Sequence, residues 1–309
     1  MSCTVRGWKF RVAVEGGDNG GQGAQTFDAN SEIYFPSAVE LTDSQELVPI
    51  PGTRGSRALY ADQAMRGNLA VGGVLNLRFG RKDLDRWLPR MLGAAEAADA
   101  FKPAAVLPWF SVLVDKGEFR SEYRDCKVTR ATFSGSAGGP VELALDVVGK
   151  TYHDYAGAFP TISYAPGEHT RPLRFAEGSL TVDGIAILFE QFTLAIDNQV
   201  EPKFYAGAET ATCLDEGRRV VTLRVPAGFT AAAKELYKRG DEGLAAVLSF
   251  DNGTGGVTTV TMPAMKWARR SPTMNGEGAV PLQLEMVAYR TEAGDAGADD
   301  DILVTNVQN

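Results

Sequence analysis

Residues 126–149 read CKVTRATFSGSAGGPVELALDVVG. The run predicts two strands around a Gly-rich turn at 135–139. In the second arm Val141, Leu143, Leu145 and Val147 alternate with Glu142, Ala144 and Asp146. A period of two marks a half-buried strand with one wet face. The design returns at 264–289, AMKWARRSPTMNGEGAVPLQLEMVAY, again strand, Gly-containing turn, strand. PVEL at 140–143 lines up with PLQL at 281–284, setting Leu143 over Leu284. Leu282, Leu284 and Met286 take the apolar side, and Gln283, Glu285 and Val287 the other. The chain therefore reads as two diverged copies of one unit, each closing on this hairpin.

The segments before each hairpin repeat as well. WKFRVAV at 8–14 alternates as an opening strand, and 33–51 reads as a longer strand region. VELTDSQEL at 39–47 resembles FTLAIDNQV at 192–200, with Asp43 over Asp197. A long polar segment without a period follows in each copy, 52–68 in the first and 201–217 in the second. Loops beyond ~12–15 residues are uncommon unless functional or disordered, so one at the same place in both copies points to function. VLNLRF at 74–79 matches VVTLRV at 220–225, placing Leu77 over Leu223 and Arg78 over Arg224.

A short helix comes next in each copy. Leu84, Trp87, Leu88, Met91 and Leu92 fall at i, i+3, i+4, i+7 and i+8, and Phe229, Ala232, Ala233, Leu236 and Tyr237 share those offsets. Such a stripe lays one helix face on a sheet. Asp83 and Thr230 suit N-caps, Gly93 and Gly240 suit stops, and Pro89 predicts a kink. WFSVLVD at 109–115 matches AAVLSFD at 245–251, and Asp115-Lys116-Gly117 and Asp251-Asn252-Gly253 read as tight turns.

The element order predicts a mainly β (β-rich α+β) protein of two tandem antiparallel sandwich or barrel domains, each flanked by one short helix. The expected division is 1–150 with an N-terminal arm, a linker at 151–177, and 178–309 with an acidic tail that ends in a short strand at 302–307. A repeat spacing of roughly 140 residues is too long for a solenoid.

Composition narrows the function. The chain has 309 residues, 44% of them hydrophobic, and a formal charge of −8. That balance disfavours general attraction to nucleic acid or anionic lipid. No run approaches the ~18–20 apolar residues of a membrane span. Residues 1–15 lack the apolar block of a secretory signal, so none is expected. Cys3, Cys126 and Cys213 are too scattered for a disulfide framework or zinc ribbon.

The chemistry of catalysis is missing too. GGDNGGQG at 16–23 lacks the Gly-Lys-Ser/Thr of a phosphate loop. His153 and His169 fall in the linker without metal-ligand spacing. Ser134 and Ser136 fall in the hairpin turn rather than in a nucleophile elbow. Asn252-Gly253-Thr254 reads as a turn, and 299–301 as solvated carboxylates. Neither an enzyme nor a bound cofactor or metal is expected. Trp8, Trp109 and Tyr155 would be the platform of a carbohydrate-binding β-sandwich, although Trp109 reads better as core.

RGNLAVGGVLNLRF, a short helix and CKVTRATFSGSAGGPVELALDVVGK resemble the first half of the two-domain tail tube (major tail) proteins of long-tailed bacteriophages. GSLTVDG at 178–184, FTLAIDNQVEP at 192–202 and EGRRVVTLRV at 216–225 resemble the second half. The likeness spans roughly residues 35–305 and leaves GGDNGGQG and the histidine-containing linker unmatched.

The resemblance implies a structural virion protein, assembled in the bacterial cytoplasm. Three copies would form a pseudo-hexameric ring, and stacked rings a hollow tube around a tape-measure protein. Terminator and distal tail proteins would bind its ends, and double-stranded DNA would pass without specific binding. A tail-tip or neck adaptor ring on the same domain is the alternative. Glu142, Asp146, Gln283 and Glu285 are the lumen candidates, where carboxylates would repel DNA phosphates. Pairing of Glu142 with Arg78 and of Glu285 with Arg224 is the competing role for two of them. Arg54, Arg57, Arg66 and Lys203, in the long loops, are candidates for inter-ring or inter-subunit contacts.

Overall fold

The computed structural model describes residues 11–16, 25–28, 31–34, 36–50, 64–94, 97–161, 172–228, 230–268, 281–291 and 300–308. The first half runs β1 (Arg11–Gly16), β2 (Glu32–Tyr34), β3 (Ala38–Val39), β4 (Thr42–Pro49), β5 (Ala64–Arg78), α1 (Arg81–Leu92), β6 (Ala100–Phe101), β7 (Phe110–Asp115), β8 (Arg120–Ser136), β9 (Val141–Gly149) and β10 (Thr151–Asp154). The second runs β11 (Gly178–Val182), β12 (Ile185–Ile187), β13 (Gln191–Asp197), β14 (Glu201–Lys203), β15 (Cys213–Asp215), β16 (Val220–Gly228), α2 (Ala231–Lys238), β17 (Leu244–Asp251), β18 (Val257–Trp267), β19 (Pro281–Tyr289) and β20 (Leu303–Val307). The fold is β-rich and antiparallel, with no closed barrel among the described residues.

The ladders repeat between halves. In the first, β2–β1–β7–β8–β10 form an outer sheet. In the second, β12–β11–β17–β18–β20 are connected in the same way. A central sheet runs β4–β5–β9–β8–β13–β16–β19 and takes strands from both halves. β8 is long enough, at 17 residues, to serve both sheets. Its first part pairs with β7 and β10, its second with β9 and β13. Register shifts at Phe110/Val112 and Val128/Arg130 mark where it turns, as expected of bulges that bend a strand from one sheet to another.

One core joins the halves. Leu84 and Leu88 of α1 meet Leu248, Phe250, Val260 and Val304 of the second outer sheet around a small apolar cavity, closed on the central-sheet side by Phe133, Phe192 and Leu194. Trp87 is fully buried between Tyr34 and Phe110. Leu236 of α2 is fully buried as well. Both outcomes follow from the apolar helix stripes.

Several expectations change. The region at 33–51 is three short strands rather than one. The first polar loop is shorter than expected, because β5 begins at Ala64, and the second carries the β14–β15 hairpin. The linker starts as strand: Thr151–Asp154 pairs with β8, so His153 is a strand residue. Ser134 and Ser136 are also in strand, since β8 runs through Ser136. The tail is held at Asp301, whose carboxylate takes three hydrogen bonds from Arg219 at 2.7–3.3 Å. His169, residues 1–10 and 17–24 lie outside the described residues.

Helix α1 is capped by Gly80, not Asp83: Asp83 sits at N3, and its Oδ2 accepts the Gly80 N–H at 2.8 Å. The helix continues through Pro89 and stops at Gly93, which adopts φ 101°. α2 begins at Ala231; Phe229 and the side chains of Ala232, Ala233 and Tyr237 lie outside those described, and Leu236 of that stripe is buried. The ladders pair Leu77 with Leu143 and Val225 with Leu284. With Leu143 set over Leu284, Leu77 therefore corresponds to Val225, two residues beyond Leu223. Period-two strands give every shift by two an equally good apolar match, so the sequence pattern does not resolve it.

Candidate functional site

The central sheet buries one face and leaves the other polar. Leu75, Leu143, Ala131, Ile196, Leu223 and Leu284 fill the core side. On the other side the register lines up tiers across the strands. The first tier is Arg78, Glu142, Ser134, Thr193, Arg224 and Glu285. The next is Asn76, Ala144, Thr132, Ala195, Thr222 and Val287, all uncharged. The third centres on Asp146, Arg130 and Asp197. Residues two apart on a strand are roughly 6.8 Å apart, so the charged tiers lie roughly 13 Å from each other.

Charge alternates along both tiers. Arg224 Nη2 lies 2.7 Å from Glu285 Oε1. Arg78 stands opposite Glu142 in the ladder, while its side chain lies outside those described. Arg130 is placed between Asp146 and Asp197, joining a first-half strand to a second-half one. Burial pushes the Asp146 carboxyl above its usual range; Arg130 opposes the shift and Asp197 adds to it.

Each lumen candidate is on this face. Glu142, Gln283 and Glu285 are exposed, and Asp146 is half-buried. Arginines are interleaved with these acidic residues on the same face. Arg78, Arg130 and Arg224 stand against Glu142, Asp146, Asp197 and Glu285, three charges against four.

The loop candidates separate into two arms. The β4–β5 arm extends outward, with Arg66 exposed opposite Leu47. Leu47, Ile50 and Met65 are bare apolar side chains on it, Leu47 being 71% exposed. Arg54 and Arg57 lie outside the described residues. The β14–β15 arm instead folds onto the first half. Val200, Ala211 and Leu214 pack with Leu107, Trp109 and Val148. Glu216 Oε1 accepts from Lys127 Nζ at 2.5 Å and from the Leu107 N–H at 3.1 Å. Lys127 and Lys150 both lie over the Trp109 ring, at 4.0 and 4.6 Å; a cation over an aromatic face is attracted by its quadrupole. These contacts put Trp109 in a packed cluster rather than on a sugar platform. Lys203 Nζ is held by Glu201 at 2.7 Å. The arms touch where Glu209 accepts from the Leu69 N–H at 2.7 Å and from Gln45 Nε2 at 2.8 Å.

Sequence reading missed the seam between halves. Gln191–Asp197 pairs along Arg130–Ser136 in seven consecutive registers. Buried Asn198 braces it, its Nδ2 donating to Met91 O at 3.0 Å and Val128 O at 3.2 Å. No motif announces such a contact, because any antiparallel edge of matching pleat can take it. His153 is exposed on β10, and no group of three or more metal-ligating side chains occurs among the described residues.

No curated protein matches the chain. A family model described as phage tail tube protein matches residues 11–298. With duplicated sheets, a shared core and a polar central face in place, that match covers nearly everything described, and the chain belongs to the phage tail tube protein family, a structural component of the phage tail.

Proposed function

We propose that three copies close head to tail into a pseudo-hexameric ring and that the rings stack into the hollow tube of the tail. The tube holds the tape-measure protein during assembly and conducts double-stranded DNA into the host. The β8–β13 seam is the observation that carries this reading. It is heterologous: the β8 edge of one half meets the β4-like edge of the next. Heterologous contacts generate rings when the rotation per step closes.

One of these edges, that of β4, recurs at an end of the central sheet. β4 has β5 on one side and no partner on the other among the described residues. The end of β18, Ala264–Trp267, pairs with β19, and on its other side Met265 pairs with Leu244 of β17 and the Trp267 N–H donates to Gly240 O at 2.9 Å. Pairing the β4 edge with a second copy would cover it as β13 covers β8 in the internal seam, and remove an edge that would otherwise drive uncontrolled pairing.

The polar tiers then face the lumen, with Glu142, Asp146, Gln283 and Glu285 on its wall. Arginines interleaved with carboxylates, and a small acidic excess, give phosphates no basic track to hold, so DNA slides. The bare β4–β5 arm, with Arg66 and the candidates Arg54 and Arg57, contacts neighbouring rings or subunits. Terminator and distal tail proteins cap the tube. The chain assembles in the host cytoplasm, enters the virion without membrane insertion, and carries out no catalysis.

Negative-stain imaging of the concentrated protein tests this. Tubes of constant width built from three-chain rings are expected. A monodisperse monomer at every concentration overturns the proposal, and rings that never stack favour a tail-tip or neck adaptor.

A further inference from the structure

Matching positions of the two outer sheets are covered in one half and bare in the other. Two like Asp-x-Gly turns, and the strand pairs that flank them, set the correspondence. The Gly117 N–H donates to Asp115 Oδ1 at 3.0 Å, and the Gly253 N–H to Asp251 Oδ1 at 2.8 Å. From that anchor Ser121 corresponds to Thr258. Asp154 of β10 pairs opposite Ser121, and Asn306 of β20 opposite Thr258. Asp154 and Asn306 therefore hold the same place in their halves.

In the second half that place is a clamp. Asn306 is 1% exposed. Its Nδ2 donates to Arg81 O at 2.8 Å and to Asp85 Oδ1 at 2.5 Å, both on α1. Gln308 Nε2 donates to the same carboxylate. Thr258 Oγ1 fixes the amide by donating to Asn306 Oδ1 at 2.6 Å. β20 thus grips the first turns of the first-half helix. Asp154 by contrast is exposed, and its carboxylate accepts from the Tyr152 hydroxyl at 2.8 Å.

The helices have their own anchor. Arg90 binds Glu32 within β2 at 2.6 Å, and Arg239, just past α2, binds Asp183 in the turn between β11 and β12 at 2.7 Å, so each arginine ties its helix to the β2-like edge of its own outer sheet at a different point along it. Counting back five residues from each arginine reaches Asp85 in α1 and Lys234 in α2. Lys234 is exposed. An amide facing a carboxylate inside the chain is replaced, at the matching outer positions, by a carboxylate and an ammonium. Both members differ, and they differ toward opposite charge.

We propose that the exposed flank of α2 docks on β10 of a second copy, with Lys234 against Asp154, as α1 docks on β20 within one chain. The inference rests on the ring reading above and names a contact that closes the ring. Charge complementarity and continuity with the internal seam identify a second copy as the occupant. The pair gives the external seam an ionic component that the amide clamp of the internal seam lacks, so closure weakens as salt screens it.

The test uses the full chain. Lys234→Asp and Asp154→Lys are made singly and together, and sedimentation velocity and negative stain follow ring formation over a concentration series. Thermal melts of the unassembled protein verify folding. Each single reversal is expected to raise the concentration needed for rings by about tenfold or more, since like charges then face each other. The double reversal is expected to restore assembly. As a second measurement, an Asp154→Cys chain mixed with a Lys234→Cys chain should cross-link on oxidation above the background of either alone. Singles that assemble like the unmodified chain, or a double no better than either single, overturn this contact and leave the ring reading standing. An unmodified chain that forms no ring overturns both.

Discussion

Arg224 and Glu285 face each other across β16 and β19, Nη2 to Oε1 at 2.7 Å, on the polar side of the central sheet. Both side chains stay about half exposed, at 62% and 48%. Water screens such a pair, so a double-mutant cycle with Arg224→Ala and Glu285→Ala should give a coupling of about 0.2–1 kcal/mol. Urea unfolding of the unassembled subunit measures it. A coupling of several kcal/mol would mean that the face is dry.

Reversing the first-half wall should affect transport rather than assembly. In Glu142→Lys with Asp146→Lys, the second lysine stands beside Arg130 and removes one of its two carboxylate neighbours. The wall then offers phosphates a basic patch. Genome ejection from particles with the mutant tube should slow at low salt and recover at high salt. Unchanged ejection at low salt from intact tubes would take these residues off the channel wall.

Leu236 anchors α2 with no exposed surface. Leu236→Ala should destabilise the unassembled subunit by about 2–5 kcal/mol, the usual cost of a cavity left by a buried leucine. A melting curve that does not move would show that this face of the helix is not core.

Asp125 lies at the bend of β8 with φ 52°. Its Oδ1 is buried and has no hydrogen-bond partner among the described residues. Burial pushes its pKa up to about 6, against Lys150 and Arg124, which favour the charged form, and with help from Glu122. Because the folded state holds this proton more tightly, its contribution is greatest at acid pH and is lost as pH rises from about 4 to about 6. Asp125→Asn removes the buried charge and tolerates positive φ. It should stabilise the subunit at pH 7.5 by on the order of 1–2 kcal/mol and give no gain near pH 3.5. Thermal melts at the two pH values decide it; an equal gain at both would trace the effect to something other than ionisation.

Local pattern carried much of this fold. The alternation at 141–147, the helix stripe at 84–92 and the Asp-x-Gly turns after β7 and β17 each state their own structure, because side-chain period and turn chemistry are properties of neighbours in sequence. The pairing of Glu285 with Arg224 was also legible, since both strands of the ladder were. Three things were not. The offset between Leu77 and Val225 is invisible to a period of two. The β8–β13 seam depends on which edges meet in space. The arginines were visible, but the placement of Arg130 between Asp146 and Asp197 needed the register of three strands at once.

β8 also constrains the order in which the chain acquires its structure. Synthesis delivers β7 to β10 first, and these satisfy the leading part of β8 and one side of its trailing part. The other side, Arg130–Ser136, waits for β13, more than fifty residues later in the chain. Until then a nascent first half carries an open β edge beside the uncovered apolar flank of α1, where Leu84 and Leu88 await the second outer sheet. Such edges pair with whatever strand is near. A fragment ending at residue 177 should therefore be aggregation-prone even when its own sheets are formed, and ribosome stalling between the halves would be more harmful than stalling after β13 has docked.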